Sequence, residues 1–252
     1  MGRMKESASK PEFEILYEKG PCICVQKKAG LLTQAPPGID NLEDQLREFC
    51  KRREGKTGNI YLAIIHRLDR PVSGAIVFCR NVRAAQRLAA QFRERTVQKK
   101  YWAIVEGGPG EDHGEWNDFV RKIPDVAQGE VVDSSAEGAK HAELAYQVLA
   151  RSDHHCLLEI ELLTGRYHQI RLQCAVRGYP VVGDQLYGAS ELFGPEVEDP
   201  RHHHIALHAR QLSFRHPMVD EMVDITAPLS DAWNESPVWQ QFRTQLNKEF
   251  AP

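Results

Sequence analysis

The sequence predicts an α+β domain whose core is a mostly antiparallel mixed β-sheet, with helices and loops flanking it. Three observations point there. Segments that alternate, or run apolar over four to eight residues, outnumber those with helical period. Early neighbours such as Phe13-Ile15-Tyr17 and Cys22 to Val25 are joined by a Gly20-Pro21 turn, the short connection of antiparallel pairs. The 252-residue chain, 42% hydrophobic and without internal repeats, is long enough for a sizeable core. Residues 12–252 read as one domain, and the polar, mixed-charge residues 1–11 as a disordered tail.

Taken in order, Phe13, Ile15 and Tyr17 alternate with glutamates, and the apolar Cys22 to Val25 follows. Ala35-Pro36-Pro37-Gly38 is an open loop, after which Asn41 can cap a helix carrying Leu42, Leu46, Phe49 and Cys50 on one face. The apolar run Tyr61 to Ile65 leads into His66-Arg67-Leu68-Asp69-Arg70-Pro71-Val72-Ser73-Gly74, and a buried strand, Ala75 to Cys79, comes next. Asn81 caps a second helix reaching about residue 95, with Val82, Ala85, Leu88, Ala89 and Phe92 as its inward stripe. Tyr101 to Val105 is a strand. Residues 107–138, rich in Gly, Pro, Asp and Glu, read as loops around short strands. Strands follow at 142–149 and 156–163. Thr164-Gly165-Arg166 turns into a helix over 167–177, closed by Gly178. A strand with Leu207, Ala209 and Leu212 precedes a last helix at 233–250, with Trp239, Phe242 and Leu246 inward.

Composition excludes several classes. No run of about 18 uncharged apolar residues exists, so no helix crosses a membrane. The N-terminus lacks the apolar segment of a signal peptide. Six scattered cysteines, none at zinc-knuckle spacing, read as reduced core thiols of a cytoplasmic protein. Three consecutive side chains converge poorly on one ion, so His202-His203-His204 reads as an exposed loop and no metal is expected. The net charge of −3 argues against nucleic acid, but its distribution argues for it. Arg80, Arg83, Arg87, Arg93, Arg95, Lys99 and Lys100 face a single acid, Glu94, in that stretch, and local stripes govern phosphate binding. Alone, such a stripe is equally a solvated helix face.

Three groups could carry chemistry. Asp69 lies between Arg67 and Arg70, whose charges should lower its pKa and keep it ionised, which suits a nucleophile better than a general acid. On composition alone, a structural aspartate paired with its neighbours is the commoner explanation. Thr164 to Arg171 gathers donors at a helix start, where anions bind, although a lone His168 is more often structural. Lys99-Lys100-Tyr101 puts a phenol beside two cations, although a lone tyrosine there is usually core.

These motifs together resemble the pseudouridine synthases of the RluA branch over residues 13–217. His66 to Asp69-Arg70 with Ser73-Gly74 resembles the family's catalytic motif, and Lys99 to Ala103 its lysine-tyrosine strand. Thr164 to Arg171 with Gly178, Pro180, Gly183-Asp184 and Tyr187-Gly188 resembles its third motif. Leu207-His208-Ala209 to Phe214 and His216-Pro217 resemble its closing strand. The resemblance implies an RNA uridine isomerase with Asp69 as nucleophile, Tyr101 stacking on the base and lying on the proton's exit route, and Arg166 pairing with Asp69. It further implies that Arg67 fills the gap left by a flipped nucleotide. Arg70, His66, Lys99, Lys100, His168, Arg171, Arg83 and Arg87 would face RNA, and Ile170 or Leu172 would wall the base. The rearrangement is isomeric and redox-neutral, so no cofactor is implied, and the expected partner is ribosomal or transfer RNA bound by a monomer.

The family pattern is not matched throughout. Lys28 stands where a proline is usual, Val72 where a threonine is common, Tyr167 in place of a small hydroxyl residue, and Gln173 in place of a histidine. These departures bear on substrate choice more than on chemistry. The short N-terminal tail leaves RNA recognition to the catalytic domain, including the helix at 81–95. A non-catalytic RNA-binding protein on the same fold would not need Asp69, Tyr101 and Arg166 together. A uracil-releasing glycosidase would need a second carboxylate near Asp69 to activate water, and the sequence nominates none.

Overall fold

The computed structural model describes residues 13–249; the N-terminal tail expected at 1–11 lies outside them. The first strands, β1 (Glu14–Lys19) and β2 (Cys22–Lys27), pair antiparallel with Lys19 opposite Cys22. Helix α1 (Leu42–Glu54) starts where Asn41 accepts the Asp44 N–H, and ends at Gly55 in the left-handed conformation. It buries Leu42, Leu46 and Cys50 as the period requires. Strands β3 (Ala63–Ile64) and β4 (Ser73–Cys79) flank the Asp69 loop, and α2 (Val82–Arg93) follows with Asn81 capping Ala84. Its buried residues are Ala84, Ala85 and Leu88, whereas Val82 is 52% exposed, so the helix is rotated from the expected stripe.

The sheet continues with β5 (Gln98–Glu106), β6 (His113–Lys122), β7 (Gly129–Val132), β8 (Lys140–Arg151) and β9 (His155–Leu162). Helix α3 (Gln169–Ala175) leads through an irregular stretch to β10 (Leu207–Arg215) and β11 (Met222–Thr226). The order is β1-β2-β4-β10-β5-β9-β8-β6-β7, with β11 beside β10 and β3 beside β4. Every pairing is antiparallel except β4 with β10. That parallel contact is close: Gly74 has φ 120°, and a Cβ there would collide with the backbone of Ala209. Only glycine fits this position.

β2 and β4 are buried on both faces. Ile23, Val25, Ile76 and Phe78 enter the core under α1, while Cys22, Cys24, Ala75, Val77 and Cys79 pack beneath α2. This is why both strands read as continuous apolar runs. All six cysteines are buried free thiols.

Three expectations need correction. Residues 107–138 contain the ten-residue β6, paired with both β7 and β8. Trp116 and Val120 supply its inward face, while exposed His113, Glu115 and Asn117 alternate with them and give the segment its loop-like composition. The helix expected at 167–177 begins only at Gln169, because His168 is left-handed with φ 51°. The last helix is broken into α4 (Asp231–Asn234) and α5 (Pro237–Glu249). Pro237 lacks an N–H and cannot continue a helix across that point, so it opens the second piece. Trp233, Trp239 and Phe242 are nevertheless buried.

Candidate active site

The Asp69 loop hangs from the segment after β2. Lys27 is fully buried, and its Nζ donates to the carbonyls of Lys28, Leu31 and Arg70 at 2.9, 2.6 and 3.1 Å. Gly30 N donates to Arg70 O at 2.8 Å, and the Arg70 guanidinium returns to Gly30 O at 2.9 Å. Thr33 Oγ1 donates to Leu68 O at 2.9 Å and accepts from Leu68 N at 3.2 Å. Val72 N donates to Asp69 O at 3.1 Å, closing a turn with Asp69 at its start. Burial draws the Lys27 ammonium down to about 7, with Asp69 opposing that shift.

Asp69 faces a cleft of about 1320 Å³ lined by Tyr101, Ile170, Leu207 and Val72. Arg171 is buried and grips Asp184 with two parallel bonds, Nε to Oδ2 at 2.6 Å and Nη2 to Oδ1 at 2.8 Å. Its remaining Nη1 stands 3.6 Å from Asp69 Oδ2. His168 Nε2 stands 3.8 Å from the same oxygen. Both donors are just beyond hydrogen-bond reach, so the carboxylate is attracted without being clamped.

Electrostatics here departs from the expected lowering of the Asp69 pKa. Burial raises it, and Arg171, Lys27 and Arg67 oppose the rise only in part. Partial burial of the carboxylate in the cleft outweighs the nearby cations, because Arg171 is already committed to Asp184 and Arg67 points outward. Tyr101 is buried and its phenol is pushed up, by burial first and by Asp69 second, so it stays protonated. Cations reach the cleft from two parts of the chain: Arg93, Arg95 and Lys99 between α2 and β5, and Arg121, Lys122 and Lys140 on β6 and β8. Burial, assisted by Arg95, pulls Lys99 down to about 8.

Residues 21–176 match the family described as RNA pseudouridylate synthase. The chain belongs to that family. It is 34% identical over 219 residues to the uncharacterized RNA pseudouridine synthase slr1629 of Synechocystis sp., covering 86% of this chain and 65% of that protein. It is 32% identical to the dual-specificity RNA pseudouridine synthase RluA of Pasteurella multocida, covering 86% of this chain and 94% of that one. Against the tRNA pseudouridine synthase C of Vibrio parahaemolyticus the identity is 30%, over 89% and 93%. Among solved structures, human RNA Pseudouridylate Synthase Domain Containing 1 superposes with a TM-score of 0.69 at 25% identity, over 94% of this chain and 90% of that one. The sheet with its flanking helices is thus the fold of RNA pseudouridylate synthases.

The predicted residues separate into groups within this pseudouridylate synthase fold. Asp69, Tyr101, Lys99, Arg67, His66, Arg166, His168, Arg171 and Ile170 all line the cleft. Arg166, however, donates through Nε to His141 O at 2.7 Å, and it is Arg171 that stands against Asp69. Arg166 precedes α3 on the turn, whereas Arg171 lies inside the helix on the side towards Asp69 and Asp184. His66 is pinned, accepting the Val77 N–H on Nε2 at 3.2 Å and stacking on Phe92, so it shapes the cleft wall. Arg171 and His168 are too buried to meet a phosphate, being 4% and 9% exposed.

Lys100 faces away from Tyr101 by strand alternation and pairs with Glu159 at 2.6 Å. Arg70 is taken up by Gly30 and His202. On α2, Arg83 and Arg87 lie off the cleft, Arg87 bonding Pro217 O, while Arg93 and Arg95 at the helix's end line it. Leu172 packs against Val120 and Ala142 and does not line the cleft, since two residues on a helix turn through about 200° relative to Ile170. Lys27, Thr33, Asp184, Tyr187 and Lys122 were not singled out as site residues. Asp184 and Tyr187 stand in the quoted Gly183-Asp184 and Tyr187-Gly188 pairs, and Lys27 opens the stretch in which Lys28 replaces the family's usual proline; Thr33 and Lys122 carry no local signal, because their partners are the distant Leu68 backbone and the Tyr167 ring.

Proposed function

We propose that this chain isomerises uridine to pseudouridine in structured RNA, ribosomal or transfer, acting as a monomer with Asp69 as the nucleophile. The observation that carries the reading is the Asp69 carboxylate itself: partly buried in the cleft, within 4 Å of two donors and hydrogen-bonded to neither. Such a carboxylate is more nucleophilic than a solvated or fully paired one. An Asp69 oxygen forms a bond to the ribose C1′ as the C1′–N1 bond breaks and uracil leaves as an anion. The ring turns, C5 bonds to C1′, and the carboxylate is released. The C5 proton departs, and N1 takes up a proton.

Tyr101, buried and uncharged beside Asp69, offers an aromatic wall for the base and a hydroxyl for the displaced proton. Ile170, Val72 and Leu207 keep the uracil in an apolar slot. Arg67 is exposed at the lip, where it can occupy the place of the everted nucleotide. Arg93, Arg95, Lys99, Lys122 and Lys140 supply phosphate contacts, which position RNA without reading its sequence.

The test uses ribosomal and transfer RNA tritiated at C5 of uridine. Release of tritium without free uracil supports the proposal, and RNA binding without release overturns it. Asp69→Asn should bind RNA and release nothing.

A further inference from the structure

His168 is held in a way that a merely structural histidine does not need. Its backbone is left-handed, φ 51° and ψ 29°, a conformation that side-chain-bearing residues avoid. This turn lays the imidazole flat on Tyr167, with centroids 3.9 Å apart and planes 19° from parallel, and sets it edge-on to Tyr187. One nitrogen, Nδ1, lies 2.7 Å from the Tyr187 hydroxyl. The other, Nε2, faces Asp69 Oδ2 at 3.8 Å.

The protons can be assigned by counting. The Tyr187 oxygen accepts the Gly129 N–H at 2.9 Å. A phenol has one proton to give, and His168 Nδ1 is the acceptor that lies in reach. A phenol proton given to Nδ1 leaves that nitrogen bare. The ring is neutral, because burial and the neighbouring Arg171 push its pKa down to about 3. A neutral imidazole bare at Nδ1 carries its proton on Nε2. The proton therefore points at the nucleophile.

We propose that His168, fixed as its Nε2–H form by Tyr187, is a positioning residue that aims the Asp69 carboxylate. This rests on Asp69 being the nucleophile. A neutral donor has a distinct value beside Arg171. A second full positive charge would hold the carboxylate too tightly to attack, whereas an uncharged N–H orients Oδ2 and leaves the other oxygen free for the ribose. The present separation closes to a hydrogen bond with a small rotation of the carboxylate, as such contacts do when substrate fills a site. Tyr187 serves both donors, since its ring also lies 4.9 Å beneath the Arg171 guanidinium. Gly129 begins β7, so the hairpin of β6 and β7 reaches the nucleophile through one backbone N–H, one phenol and one imidazole.

The decisive measurement is the tautomer of His168 in the intact protein, read from ring nitrogen shifts after histidine labelling with nitrogen-15 and assigned with His168→Gln. An Nε2–H ring with bare Nδ1 is expected; an Nδ1–H ring in the wild-type protein overturns the proposal. Tyr187→Phe should abolish the single-tautomer signature. It should also slow single-turnover isomerisation on saturating RNA by about 10²-fold, the scale of a misaimed reacting group, while KM for RNA stays within about twofold. His168→Leu should do the same. His168→Gln, which restores an N–H near Nε2, should recover much of the rate. Unchanged turnover in His168→Leu overturns the inference. Failure of the nucleophile assignment would be separate, appearing as turnover in Asp69→Asn with the tautomer of His168 intact.

Discussion

Arg171 divides its guanidinium between two carboxylates: Nε and Nη2 are bonded to Asp184, and Nη1 is left 3.6 Å from Asp69. Asp184 is only 2% exposed, so the pair is internal, and breaking one half strands the other charge. Asp184→Ala should therefore destabilise the fold by about 3–5 kcal/mol in urea unfolding. Arg171→Lys keeps a charge but cannot make the two-pronged bond, and should reduce turnover by about 10²-fold through loss of aim at Asp69.

The raised pKa of Asp69 has two consequences of opposite sign for activity and stability. With Asp69 as the proposed nucleophile, activity needs the ionised form, so kcat/KM should fall with acid at a pH above the ordinary aspartate value of 3.8. Stability works the other way: folding disfavours the charged form, and this penalty is fully present above the folded-state pKa and absent below the unfolded one. Asp69→Asn should accordingly raise Tm at pH 7, and the gain should vanish as pH falls below about 3.8. A variant less stable than wild type at pH 7 would contradict the burial argument.

Lys99 and Lys100 are sequence neighbours with different tasks. Lys100→Ala should leave RNA affinity unaltered, because its ammonium is paired with Glu159 on the other face of the sheet. Lys99→Met should weaken binding and reduce the salt slope of log K by about one. With its pKa drawn down to about 8, Lys99 loses charge as pH rises through that value, and affinity should fall there. The Lys99→Met protein should lack that pH step in a filter-binding titration.

Gly74→Ala tests the seam between β4 and β10. The φ of 120° and the collision with Ala209 both oppose a side chain, and together should destabilise by about 2–5 kcal/mol. Chemical denaturation reads this directly, with the m-value unchanged.

What could be read from the sequence follows from the range of the interactions involved. Asn41 and Asn81 were legible as caps because a cap bonds three residues away. Asp69, Tyr101 and Ile170 were legible because their motifs are contiguous. Arg166 and Arg171 could not be ranked, since both lie in one motif and only the fold shows which one reaches Asp69 and Asp184. Strand alternation was enough to separate Lys99 from Lys100, but only once Tyr101 was known to face the cleft. Lys27 stands in a family-like stretch, but its burial was not legible, because a buried lysine satisfied by three carbonyls has the same sequence as an exposed one. Residues 107–138 misled because β6 has only two buried side chains, Trp116 and Val120, among polar neighbours.

The position of β10 has a consequence for when the enzyme can first act. Strands β1, β2 and β4 carry the Asp69 side of the cleft, and β5, β9, β8, β6 and β7 carry the other. In the sheet these two groups meet only through β10, with His208 bonded to Ser73 across a separation of 135 residues. A growing polypeptide therefore emerges with Asp69, Tyr101, His168 and Arg171 all synthesised but not yet in register. Such distant closure is slow, because the entropy of a long loop is lost before any contact repays it. On the proposed assignment of the site, the last central strand thus acts as a built-in delay: the nascent chain should stay inert towards RNA until β10 slides into its slot and brings the two halves of the cleft together.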